Sequence, residues 1–162
     1  MDHPQPRGSS AVGPIEQLDE SRVLILRPLQ PRPGPSFPLH HLYLELVYRP
    51  SLGPSGVMLA RHLGRVLAAH GDKPARVCPA ALSLELGLRA SSDEPLGARS
   101  RLRQAINRLE RLHIVRWQQP RHLGVLTEVP PVSERILDKL PPEARRAHDH
   151  FVDVIDLRDR PA

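Results

Sequence analysis

Residues 97–119 read GARSRLRQAINRLERLHIVRWQQ, and two periodicities meet inside them. Leu102, Ala105, Ile106, Leu109 and Leu112 recur at three- and four-residue intervals, the pattern of one apolar helix face over Gly97 to Leu112. The spacing then changes to two. In IVRWQQ, Val115 and Trp117 share one side, and after a turn at Pro120 to His122 the residues Leu123, Val125, Thr127 and Val129 alternate in phase. A helix followed by a hairpin is predicted. With Leu102, Ile106 and Leu109 inward, the helix turns Ser100, Gln104, Asn107 and Arg111 outward, flanked by Arg101, Arg103 and Arg108.

Upstream, three further helices are predicted. LHHLYLELVY from Leu39 places Leu39, Leu42, Tyr43, Leu46 and Val47 on one side, and Pro50 ends it. After the turn at Ser51 to Pro54, Ser55 to His70 carries Leu59, Leu63, Val66 and Leu67, with Gly71 as its cap. CPAALSLEL, Cys78 to Leu86, opens on Pro79, presents Ala81, Leu82 and Leu86, and stops at Gly87. Downstream, Ser133 is placed to cap a short helix to Leu140, and Pro142 opens a last helix with Ala147, Phe151 and Val154 in phase.

Eight of the nineteen prolines fall within the first 38 residues, so residues 1–38 read as a flexible, disordered Pro-rich arm whose first 20 or so residues are dispensable for folding. Within that arm RVLIL, Arg22 to Leu26, is either a strand or a docking segment. Residues 39–130 then form the main domain and 131–162 a C-terminal helical extension. The expected fold class is mainly α with a small β-hairpin, and 162 residues suit one domain.

Composition narrows the chemistry. The single Cys78 allows neither an internal disulfide nor a Cys-rich zinc site, and burial as a small apolar residue is its commoner fate than a reactive thiol. No apolar run reaches membrane-spanning length, and the first ten residues lack an apolar signal core; a cytoplasmic protein that neither spans nor binds a membrane is expected. Five aromatic residues are too few for base-stacking platforms. The nine histidines include His40 next to His41, and His148 two from His150, spacings that do not put two ligands on one helix face, so no metal is expected. The chain lacks a GxSxG elbow, a phosphate loop and a GxGxxG motif, so neither catalytic residues nor a cofactor is expected, and the chain is read as no enzyme.

Charge points elsewhere. The chain carries a formal +5, and Lys73 and Lys139 are its only lysines. GC-rich codons alone would raise the arginine content, so placement has to decide. Between Arg99 and Arg121 stand seven arginines against one acid, Glu110, a local +6 that exceeds the whole. Arg grips guanine or phosphate with two hydrogen bonds, and Gln or Asn does the same to adenine. Double-stranded DNA is therefore the expected partner, with Arg99, Ser100, Arg101, Arg103, Gln104, Asn107, Arg108, Arg111 and the turn residue Arg121 as candidate contacts. A solvated helix face in an Arg-rich chain is the competing reading.

The segments GPSGVMLARHLGRVL, ALSLELGL, RSRLRQAINRLERLHIVRW and KLPPEARRAHD, spanning roughly Leu39 to His150, resemble small actinobacterial winged helix-turn-helix proteins. The resemblance implies a winged helix fold and a DNA-binding protein: a transcriptional regulator or a plasmid or phage accessory factor. The segment between the third helix and the basic helix is longer than a tight helix-turn-helix allows. A winged helix serving instead as a protein-protein interaction module is the alternative. The stripe of Ala147, Phe151 and Val154 would suit a homodimer or packing on its own domain equally.

Overall fold

A computed structural model of the chain describes residues 22–88 and 94–158. In chain order these form β1 (Leu24–Leu29), β2 (Phe37–Pro38), a π-helical turn (Leu44–Tyr48) running into α1 (Arg49–His70), β3 (Ala75–Val77), α2 (Pro79–Glu85), α3 (Arg101–Arg111), β4 (Val115–Gln119), β5 (His122–Leu126), β6 (Glu128–Val129), α4 (Glu134–Leu137) and α5 (Pro142–Arg158). The fold is mixed α/β. The predicted hairpin, β4 with β5, is half of a four-stranded sheet ordered β3-β1-β5-β4, and β2 pairs with β6 in a separate two-stranded ladder. The mainly α expectation is corrected accordingly.

The larger correction concerns the predicted arm. Residues 22–38 belong to the fold, while residues 1–21 lie outside the described part. RVLIL supplies the inner strand β1, which runs parallel to β5 from Ile25↔His122 to Leu29↔Leu126 and antiparallel to β3 over Leu24 to Leu26. Leu24 and Leu26 are fully buried, which the five prolines between Arg27 and Leu39 do not prevent. Pro28 is tolerated for a geometric reason. The Ile25 N–H donates to the Arg121 carbonyl on the β5 side, so alternation turns position 28 towards the β3 side, past the end of that three-residue strand, where no ladder bond is lost. Opposite β1, Gly124 is required by close approach: a Cβ there would lie 2.8 Å from Leu29 Cδ2.

The helix before α1 is phased differently from its sequence reading. Tyr43, Leu44, Val47, Tyr48 and Leu52 are buried, whereas Leu42 is 56% and Leu46 43% exposed. A π-helical turn advances more residues per turn than the 3.6 of an α-helix, so an α-helical wheel misplaces the apolar stripe. The same turn precedes Pro50, which continues the helix instead of ending it. The break falls at Gly53 (φ +71°), and Pro54 opens the second segment, whose Leu59, Leu63 and Leu67 are buried as predicted. In α2, Leu82 and Leu86 are buried but Ala81 is exposed. Ser133 takes the N-cap position of α4 without a side-chain capping bond.

Four of the five aromatic residues gather where β2, the π-helical turn and α5 meet. Phe37 stacks on Tyr43 at 3.8 Å, and the Phe151 ring meets Phe37, Tyr43 and His41 edge-on. The Tyr43 hydroxyl accepts from Val132 N–H at 3.0 Å and bonds His148 Nδ1 at 2.7 Å, and the Tyr48 hydroxyl donates to the Pro130 carbonyl at 2.8 Å. Burial pushes the Tyr43 hydroxyl up to about 12, against the Val132 hydrogen bond, and burial with the neighbouring Tyr43 raises Tyr48 further. The Ala147 and Phe151 stripe thus packs on its own domain.

Candidate nucleic-acid interface

The site is built on α3 and the β4–β5 hairpin. Leu102, Ala105, Ile106 and Leu109 are buried to 1% exposure or less, which fixes the rotation of α3 about its axis. α1 is its main helical neighbour. The C-terminal end is closed by His113 at φ +58°, with His113 N–H donating to Glu110 O and Ile114 N–H to Leu109 O, a Schellman arrangement that leads straight into β4.

The predicted contacts separate into groups. Arg101, Gln104 and Arg111 are exposed on the outer face of α3, and Arg99 is exposed just before it. Gln104 Nε2 donates weakly, at 3.4 Å, to the Arg99 carbonyl. Asn107 is half-buried. Arg108 is half-buried too, its Nη1 3.2 Å from where a Gly53 Cβ would stand, so the guanidinium lies on the α1 break and a side chain at 53 would crowd it. Ser100 is removed from the contact set. It is 2% exposed, its Oγ accepts from Arg103 N–H at 3.0 Å and donates to the Pro95 carbonyl at 2.6 Å, so both hydroxyl roles are spent on capping α3.

The hairpin brings Arg121 to the same region as Arg103. Arg121 sits at φ +63° behind Pro120, a left-handed position that Gly or Asn usually fills. Gln118 is the extra residue of a bulge between Trp117↔Leu123 and Gln119↔His122. Arg103, Trp117, Gln119 and Arg121 line an open cleft of about 450 Å³, with Glu94 on its wall. The Arg103 Cζ stands 4.6 Å from the Trp117 ring centroid, a cation–π contact. Trp117 Nε1 is shut off from solvent with no hydrogen-bond partner among the described residues.

None of the seven arginines from Arg99 to Arg121 forms an ion pair with a described acidic residue, whereas Arg61 pairs with Glu45 at 2.9 Å and Arg146 with Glu143 at 3.5 Å. The seven lie on α3, just before it and on the hairpin. The residues that sequence reasoning missed are Trp117, Gln119 and Glu94. Trp117 was read only as a core-facing strand residue; its being the one tryptophan, in phase with Val115, carried no hint of a partner on α3.

Elsewhere, His41 Nδ1 accepts from Tyr43 N–H at 3.0 Å, His70 Nδ1–H donates to Val66 O at 2.8 Å, and His62 lies 3.5 Å from Glu85. Among the described residues no group of three or more His, Cys, Asp or Glu is placed to hold a metal ion, and no helix is long and apolar enough to cross a membrane. No protein-family model, curated protein or solved structure was found to match the chain.

Proposed function

We propose that the chain is a winged helix protein that binds double-stranded DNA, with α3 as recognition helix and the β4–β5 hairpin as wing. The element order supports the fold reading: helix, short strand β3, helix, basic helix, hairpin, with β1 as an added strand between β3 and β5. The observation that carries the binding reading is the set of seven arginines on α3, just before it and on the hairpin, none paired with a described acidic residue, beside an opposite helix face that is buried. A surface holding that much like charge is relieved by a polyanion. Arg101, Gln104 and Arg111 on the outer face and Arg121 at the hairpin tip are the principal contacts, a regulator or accessory factor of DNA is the role they suit, and no residue is assigned a catalytic role.

A phosphate-contacting protein releases counterions, so its affinity must fall as salt rises. Anisotropy titration with a random-sequence duplex at about 50 and about 200 mM salt should show a steep loss, with the slope of log K on log salt reduced by about 0.9 for each phosphate contact removed. Affinity that does not respond to salt would end the proposal. Leu84 at 81%, Leu42 at 56%, Met58 at 49% and Leu46 at 43% exposure favour a second reading, a protein interaction module, and that reading predicts no salt-sensitive duplex binding.

A further inference from the structure

We propose that Trp117 is a positioning residue that holds Arg103 for reading a guanine edge, so that specificity resides in an α3–hairpin pair and not in α3 alone. This rests on the duplex-binding reading. Two observations carry it. Arg103 lies in the first turn of α3, where Ser100 caps its own backbone N–H and is itself tied to Pro95, so the backbone under the side chain is fixed. Its guanidinium then lies over the Trp117 ring at 4.6 Å. A guanidinium stacked on a ring can still present its N–H edge, the edge that makes two parallel bonds to guanine O6 and N7.

The second observation is the unmade hydrogen bond at Trp117 Nε1. A buried N–H without a partner is destabilising, and phenylalanine would fill an apolar strand position without it. What tryptophan adds is the strongest ring face for a cation.

The test is selection from a library of duplexes with a randomised centre, using the full chain, followed by titration of the selected and an unselected duplex at two salt concentrations. The wild-type protein is expected to enrich guanine at one position. R103K keeps the charge but not the two-bond fork, so the guanine-bearing duplex should be weakened about 5- to 150-fold more than the unselected duplex. W117F should melt no lower than wild type and lose part of that preference, W117L should lose as much as R103K, and adding R103K to W117L should cost nothing more. A guanine preference that persists in R103K, or in W117F at undiminished strength, overturns the proposal. Wild-type protein that binds every duplex alike also overturns it but leaves duplex binding standing, and failure to bind any duplex removes both. Should W117L not fold, R103K and W117F decide alone.

Discussion

At Ser100 a hydroxyl that a helical wheel turns outward is consumed by the helix itself. The wheel gives every residue a face but does not mark the first residue outside the helix, and the reading that began α3 at Gly97 placed Ser100 inside it. Ser100→Ala should therefore lower stability by about 0.5–2 kcal/mol, read as a lower melting temperature, while Gln104→Ala should leave melting unchanged and weaken duplex binding only. Equal melting of both variants would restore Ser100 to the contact surface. The buried tyrosines give a second residue-level outcome. An unfolded tyrosine ionises near pH 10, whereas folded Tyr43 keeps its proton to about 12 and Tyr48 is raised as well. Their contribution is complete below pH 10 and is lost as pH rises through the folded values. Urea midpoints should fall steeply between pH 10 and 12, and Tyr43→Phe should flatten that fall; an unchanged slope would mean that Tyr43 ionises freely in the folded state.

Elements are fixed by what they bury. Ile106 is fully buried in α3, so Ile106→Ala should leave a cavity and cost roughly 2–5 kcal/mol, taking duplex binding down with the fold although the side chain never faces the outer surface. Full stability in that variant would mean that α3 is rotated differently, and every arginine assignment on it would move. β1 makes the stronger demand. Among the described strands it supplies the only partner of β3 and one of the two partners of β5, so a chain starting after Leu29 should lose its cooperative unfolding transition in urea. A truncated chain that still unfolds cooperatively at the wild-type midpoint would show that β3 closes directly onto β5.

Across the whole molecule, position of charge matters more than its sum. Arg145 and Arg146 on α5 are exposed like Arg101 and Arg111 on α3, and reversing either pair changes the net charge equally. R101E with R111E should abolish duplex binding at moderate salt, whereas R145E with R146E should lower affinity only slightly. Equal losses would make binding a property of net charge, with no defined interface. The comparison is clean because neither pair contributes to the apolar core: all four side chains lie outside it.

Local pattern was enough wherever neighbours in sequence decide the outcome. The apolar face of α3, the existence of a hairpin after it, the end of α1 at Gly71 and the cluster of arginines from Arg99 to Arg121 were all legible in the chain, because periodicity and turn chemistry act over a few residues, whereas the expected second strand from Leu123 to Val129 is split into β5 and β6 in different ladders. What needed the tertiary structure was every feature set by partners far away in sequence. RVLIL becomes an inner strand only because β3 and β5 leave a gap that it fills, and five residues of apolar sequence do not announce their partners. The exposed Leu42 and Leu46 follow from a π-helical turn that α-helical periodicity does not represent. Arg103 acquires its fixed direction from Trp117 on another element, fourteen positions away. Helix faces arise from spacing along the chain; the pairing of side chains across elements arises from packing, and only the folded molecule specifies it.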